Sequence, residues 1–356
     1  MRTNLDWPIL LAYLMASAIS LVVIGSISPD RIVQQAIMLL LGLALLVYIS
    51  RQEIAVYTSF APILYFFANI MLALTLVIAT VTRGTLSWVE LAGFRFQPSE
   101  FTKPLLILSF AYFIERFPPT KINNILLNLL IFVLPTSLIF IQPDLGTALV
   151  ISIVWVLQMF IANIPWGYII ASIIALIGSV PLLPFILRDY QLSRLTSFLN
   201  PYSDPLNSGY NVIQSIIAVG SGGILGKGLG HGTQSHLRFL PERHTDFIFA
   251  SLAEELGMLG STMIIVVMAI LVFRLLTAAT VAKTQITRLI LSGTLAYLAF
   301  QAFINIGMNL GVLPVTGVTL PLISYGGSSI LATSIILGVA SSAIRASSNE
   351  KLIEIR

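Results

Sequence analysis

Apolar runs long enough to cross a bilayer recur about ten times along this 356-residue chain, and they leave room for few architectures. A helix that crosses the hydrocarbon core takes roughly 17–25 mainly apolar residues. On that rule, spans are predicted near 8–25, 32–50, 56–80, 99–114, 122–141, 147–164, 166–187, 246–273, 286–308 and 320–345. In lipid every backbone N–H and C=O must be satisfied within the protein, so segments of this length are helices. The composition agrees. Hydrophobic residues make up 57% of the chain and charged ones 10%, with a mean hydropathy of +0.94, whereas a soluble domain carries about 25% charged residues. The expected fold is an all-α polytopic membrane protein of about ten transmembrane helices, forming one domain over 1–356.

The first run follows Arg2 and resembles a signal peptide. No small-x-small cleavage site follows it and a second run begins at Ile32, so it reads as an uncleaved span. Orientation is set by the basic residues of short loops. With the N-terminus inside, ten basic residues fall on the cytoplasmic side: Arg2, Arg51, Arg116, Lys121, Arg274, Lys283, Arg288, Arg345, Lys351 and Arg356. Three (Arg31, Arg83 and Arg95) fall on the other side. Long translocated segments escape the rule, so the 58-residue stretch 188–245 is left out. Both termini are therefore expected in the cytoplasm. Two polar segments then face outward: the loop 81–98, and the large loop 188–245 between the seventh and eighth spans. Within the latter, YNVIQSIIAV (210–219) reads as a short amphipathic helix near the interface.

A net charge of +4 with no basic run excludes a nucleic-acid partner and leaves membrane lipids as the nonspecific one. Cysteine is absent, which excludes disulfides and thiolate chemistry.

Ionisable groups in or beside a membrane are functional candidates because they are costly there. The densest cluster is FLPERHTDFIFASLAEELG (239–257), where the outer loop turns into the eighth span. Asp246 is either a helix cap, together with Thr245, or a carboxylate poised as a general base. At about 100° per residue Glu254 lies nearer the face of Asp246, and Glu255 points toward another helix. Glu100 and Lys103, three apart, form an internal salt bridge or line a wet cavity. Lys227 lies within a cluster of seven glycines (220–232) that fails the phosphate-loop pattern, because the required positions hold Ser221 and Gly228. The cluster is a flexible hairpin or an anion-holding nest. His231, His236 and His244 lack metal-ligand spacing, and no metal site is expected. Trp88 is an interfacial anchor or part of a site. Finally, the prolines and glycines of GVLPVTGVTLPLISYGGSS (311–329) mark an unwound or re-entrant element, tolerated where it is buried or lines a cavity.

Taken together, QPSE (97–100), QPDLG (142–146), FLNPYSDPLNSGY (198–210), GSGG (220–223), FLPERHTDFIFASLAEELG and the 311–329 run resemble the SEDS family of bacterial cell-wall proteins (shape, elongation, division and sporulation). They occur in family order, and GKG (226–228), GTQ (232–234) and FLPERHTDF resemble the elongation branch more than the division branch. The resemblance implies a bacterial inner-membrane peptidoglycan glycosyltransferase. It would polymerise lipid II beside a class B penicillin-binding protein, with no transpeptidase domain in the chain itself. By the same resemblance Asp246 is the catalytic carboxylate, Glu100 and Lys103 line the cavity beside it, and Trp88 belongs to a sensitive outer loop. No cofactor is firmly expected; a divalent cation, Mg²⁺ or Mn²⁺, is the one candidate. Lys103, Arg243, Arg194 and Lys227 are the cations available to the substrate's pyrophosphate. Broken helices and intramembrane charges also describe transporters, so a lipid II flippase and a non-catalytic activator of the penicillin-binding protein stay open as alternatives.

Overall fold

The computed structural model describes residues 5–82, 85–91, 94–179, 181, 185, 189–207 and 209–354. A helix covers most of the described part of each of the ten apolar runs, although the tenth starts at Gly327 and not at 320. Before the long polar stretch come α1 (Trp7–Ile27), α2 (Ile32–Arg51), α3 (Ile54–Ile78), α4 (Pro98–Arg116), α5 (Ile122–Ile141), α6 (Leu145–Ile161) and α7 (Trp166–Ser179). That stretch contributes α8 (Asp189–Leu199), the expected amphipathic helix α9 (Tyr210–Ser221) and the single turn α10 (Thr233–His236). Three long helices follow: α11 (Ile248–Thr280), α12 (Gln285–Asn309) and α13 (Gly327–Glu354). The predicted seventh span runs on to 187, and most of its end (180, 182–184 and 186–187) lies outside the described residues, as do Arg2, Arg83, Arg188 and Arg356.

Among the described residues seven helices are long and apolar enough to cross a membrane: α1, α2, α3, α5, α11, α12 and α13. The protein is an all-α polytopic membrane protein. The helix α4 misses the hydropathy criterion for a structural reason. Its Ser99, Glu100, Thr102, Lys103 and Ser109 are buried against protein, not lipid. The best windows of α12 and α13 are 72% and 83% enclosed by protein, against 22–28% for α2, α3 and α5. So α12 and α13 form the inner wall, with α2 packed on α13, α6 and α11 on α12, and α1 on α11.

Helix starts are fixed locally. The Asp6 carboxylate accepts from Ile9 N (3.3 Å) at the start of α1, and that of Asp144 from Thr147 N (3.0 Å) at the start of α6. These bonds satisfy amides that have no partner inside the helix. Strands were not anticipated in the first outer loop, yet β1 (Thr80–Thr82), β2 (Thr85–Leu91) and β3 (Phe94–Phe96) form a small antiparallel sheet in the order β1-β2-β3. Trp88 pairs with Thr80, and Val89 with Phe96.

Two long segments are interrupted. The expected unwound element is present: from Leu310 to Gly326 the chain between α12 and α13 is not helical. The other break was not expected. Gly257 (φ 66°, ψ −158°) cuts α11 into a half-helix, 248–256, and a longer piece, 258–280. At 1.5 Å per residue the longer piece spans about 34 Å, enough for the hydrocarbon core by itself.

The glycine cluster fills this break, and is not a free hairpin. Lys227 N and Gly228 N donate to the carbonyls of Glu254 and Glu255 (3.0 Å each). Met258 N and Leu259 N donate to the carbonyls of Gly223 (2.9 Å) and Ile224 (3.2 Å). The loop thus supplies the backbone partners that the interrupted helix lacks. Such close approach requires glycine: a Cβ at Gly222 would lie 1.9 Å from Ala253 O.

Candidate active site

Asp246 precedes α11 rather than capping it. The residue at the cap position is Phe247, whose own side chain makes no capping bond. That role is filled from α12, where Asn309 Oδ1 accepts from Ala250 N (3.0 Å). The cap position is thus Phe247, one or two residues after the expected Thr245 or Asp246. Because helical geometry begins only at Ile248, the helical angle relating Asp246 to Glu254 has no basis.

The backbone leading to Asp246 is held carbonyl by carbonyl. Ser251 Oγ donates to Arg243 O (3.2 Å), Tyr325 N to His244 O (2.8 Å) and Ser324 Oγ to Thr245 O (2.8 Å). The carbonyl of Asp246 accepts from two buried amides, Asn305 Nδ2 and Asn309 Nδ2, at 3.0 Å each. The donors Ser324 and Tyr325 belong to the unwound run, and Asn305 also ties that run in by donating to Val318 O (2.7 Å). The half-buried carboxylate lies against Gly317, where an added Cβ would be 3.7 Å from Oδ2.

The conserved-looking sequence blocks converge here in space. The unwound run crosses the first turn of α6, and a Cβ at Gly146 would meet Thr316 O at 2.8 Å. Asp144 accepts from Gln97 Nε2 (3.3 Å) and Ser99 Oγ (3.4 Å), and Gln97 N donates to Ser328 Oγ (3.1 Å). Beside this crossing a cleft of about 110 Å³ is lined by Asp144, Gln191, Arg194, Pro314 and Thr316, among others. Arg194 Nη1 donates to Val315 O (3.3 Å). Val315 and Gly317 are two residues apart, about 7 Å of extended chain. Arg194 and Asp246 thus hold neighbouring points of one segment.

Glu100 and Lys103 lie deeper. Lys103 Nζ reaches Glu100 Oε1 at 2.7 Å, with only 2% and 6% of the two side chains exposed. The ammonium also faces the Tyr297 ring at 5.9 Å. Tyr297 is eight residues below Asn305 on α12, about 12 Å along the helix axis. The pair is a buried strut held within the helix bundle.

Lys227 and Glu254 serve the loop instead. The Glu254 carboxylate accepts from Lys227 Nζ (2.9 Å), Gln234 N (2.9 Å), Ser235 N (3.1 Å) and Ser235 Oγ (2.9 Å). The cation is thus paired with Glu254 within the loop, its side chain still partly exposed. The expectation for Glu255 holds: its Oε1 accepts from Ser26 Oγ of α1 (2.8 Å) and meets His236 Nε2 at 2.6 Å.

Arg243 is half-buried, and its Nε donates to the carbonyl of Ile27 (3.2 Å), the last residue of α1. Burial, then the charges of Arg238 and Arg31, pull its pKa below the usual guanidinium value. Arg31 itself contacts His244 and stacks over Tyr325 at 5.0 Å. Trp88 is half-buried in β2. Residue-type reasoning missed Asn305, Asn309 and Ser324. Their signal was two amides four apart on an apolar helix, a spacing that puts both on one face. The described side chains do not by themselves supply a full donor set for Mg²⁺ or Mn²⁺. Among the described residues no three acidic or histidine side chains converge, and the Asp144 carboxylate is taken by Thr147, Gln97 and Ser99.

This arrangement defines a multi-pass membrane protein with a carboxylate held at the mouth of an unwound segment. The family model FTSW_RODA_SPOVE, described as cell cycle protein, matches residues 6–349, and the chain belongs to that family, the SEDS proteins. It is 41% identical over 336 residues to the peptidoglycan glycosyltransferase MrdB of Escherichia coli K12, covering 93% of this chain and 90% of that one. It is 37% identical to the probable peptidoglycan glycosyltransferase FtsW of Coxiella burnetii, covering 86% and 84%. Among solved structures, a chain of a peptidoglycan synthase complex that coordinates polymerization and crosslinking aligns with a TM-score of 0.84 at 35% identity, covering 97% of this chain and 98% of that one. The crystal structure of Thermus thermophilus RodA aligns with a TM-score of 0.73 at 30% identity, covering 96% and 97%. With its apolar helices and bacterial relatives, the protein is a multi-pass inner-membrane protein.

Proposed function

We propose that this protein is a peptidoglycan glycosyltransferase that polymerises lipid II into glycan strands during cell-wall elongation, alongside a class B penicillin-binding protein. The observation that carries the reading is the placement of Asp246. A half-buried carboxylate stands at the end of four consecutively anchored carbonyls, beside an unwound run and next to an arginine-lined cleft. Similarity to MrdB and RodA supplies the substrate class. Topologically, the reading has ten spans in one domain, both termini in the cytoplasm and Asp246 on the outer side. The ten-to-three bias of short-loop basic residues supports this.

In the mechanism, an Asp246 oxygen removes the proton of the acceptor's 4-hydroxyl. That oxygen attacks the anomeric carbon of the donor MurNAc. The bond to undecaprenyl pyrophosphate breaks as the new bond forms, so the α-linked donor gives a β-linked product, as in any single in-line displacement. The departing pyrophosphate gains negative charge, which fixed cations stabilise where water is excluded. Arg194 and Arg243 are the residues placed for this, and Lys103 acts from below through Glu100. No step is routed through a metal ion.

Asp246→Asn preserves the side-chain shape and removes the base. Glycan polymerisation from purified lipid II is expected to vanish while expression and thermal stability stay unchanged. Continued chain synthesis by this variant would sink the assignment. Lipid II transport in vesicles with no polymer formed would favour a flippase instead.

A further inference from the structure

We propose that Asn305 and Asn309 of α12 are positioning residues that fix the catalytic carboxylate through its own backbone. This inference rests on the reading of Asp246 as the base. A carbonyl oxygen has two lone pairs, and both of those on Asp246 O are taken by amides of α12, at 3.0 Å each. Both asparagines have no solvent exposure. Neither touches the carboxylate, and each bridges Asp246 to a second element. Asn305 donates its other hydrogen to Val318 O (2.7 Å), next to the Gly317 that flanks Oδ2. Asn309 accepts from Ala250 N (3.0 Å) in the first turn of α11 and donates to Asn305 O (2.7 Å). The pair therefore sets the distance between the half-helix, the carboxylate and the unwound run from one rigid helix.

This placement is unusual for a merely structural amide. A structural cap of α11 needs only the Asn309 oxygen, and Asn305 caps nothing. Its Nδ2 spans Asp246 and the unwound segment, joining the carboxylate's backbone to the run that flanks it. Displacing a reacting group by about 1 Å costs on the order of 100-fold in rate, while substrate binding elsewhere is untouched.

The test uses the full-length protein with purified lipid II and its penicillin-binding partner, comparing Asn305→Ala, Asn309→Ala, the double variant and Asp246→Asn. Turnover is normalised to folded, monodisperse protein. Each single variant is expected to lose about tenfold or more in kcat and the double about 100-fold, with KM for lipid II within about twofold. A purely structural role would lower the folded fraction and leave kcat per folded molecule unchanged, and that result overturns the proposal. If the double variant does not fold, Asn305→Ala decides alone, since it keeps the Ala250 cap and one donor to Asp246. If Asp246→Asn polymerises normally, the assignment of the base fails and this proposal with it. If Asp246→Asn is dead and the asparagine variants are unimpaired, only the proposal fails.

Discussion

Two glycines in the same loop separate backbone conformation from close packing, and so test how the glycine cluster holds α11. Gly226 and Gly230 have nearly identical left-handed φ values, 82° and 81°. An alanine at either position pays the left-handed penalty of about 1–2 kcal/mol. Only Gly226 is confined. Its Cβ would lie 2.1 Å from Glu255 O, 2.5 Å from Glu255 C and 2.7 Å from Gly257 N, whereas at Gly230 nothing lies within 4 Å. The atoms met at Gly226 are backbone and cannot rotate away. Relief requires the loop to withdraw from the break, stretching Lys227 N→Glu254 O and Gly228 N→Glu255 O. Overpacking of this kind costs a further ~1–3 kcal/mol, so Gly226→Ala is expected to lose about 2–5 kcal/mol in all. Thermal unfolding of the purified protein, followed beside lipid II polymerisation, reads both consequences. Gly226→Ala should unfold well below Gly230→Ala and polymerise poorly, because the half-helix that follows Asp246 moves with the break. Equal stability losses would refute the threading of the loop through α11. A stable Gly226→Ala variant with normal turnover would refute the link between the break and the site.

The buried pair of Glu100 and Lys103 gives a second prediction. Lys103→Met leaves Glu100 charged and alone in the core, which costs about 3–5 kcal/mol, whereas Glu100→Gln with Lys103→Met removes both charges and restores most of the stability. The two opposite charges lie 2.7 Å apart and largely cancel at a distance, so removing both changes the field at Asp246 little. The double variant should therefore keep lipid II turnover within about tenfold of wild type. A folded double variant slower by more than about 100-fold would mean that Lys103 meets substrate directly. At the opposite face, Asp6 caps α1 and receives Arg274 Nε at 3.1 and 3.0 Å. Asp6→Asn keeps an acceptor for the cap but loses the charge, and should lower stability by about 1 kcal/mol in thermal unfolding with kcat unchanged. A change in kcat would couple the far end of α11 to the site.

The helices were legible because lipid imposes one simple rule on long apolar segments. The unwound run was legible for the converse reason, since Pro314, Gly317 and Pro321 cannot sit in a continuous lipid-facing helix. The sheet around Trp88 was hidden by its shortness, although Thr85–Leu91 alternates as a strand does. The break at Gly257 was hidden more deeply. Glycine is common in membrane helices, and nothing local distinguishes Gly257 from Gly260, which stays helical. What decides it is a loop some thirty residues earlier that docks its own amides there. The same non-locality misplaced Glu254, which is bound by the loop it faces, and concealed Asn309, which caps a helix other than its own.

The two interruptions and the site are consequences of a single constraint. A break in a membrane helix frees carbonyls and amides that lipid cannot satisfy, so each break must be filled by other protein groups. At Gly257 the filling comes from 223–228, which docks the outer loop onto α11 and fixes the orientation of the half-helix. In the unwound run the freed backbone works in both directions. Tyr325 N reaches out to His244 O, and Val318 O draws in the amide of Asn305, which also holds Asp246. Satisfying the backbone and immobilising the carboxylate are thus accomplished by the same bonds. An uninterrupted α11 and a helical link from α12 to α13 would satisfy their backbones locally, but Asp246 would then lack these partners. The broken form exchanges local helical bonds for cross-element ones, and those converge on the residue that performs the chemistry.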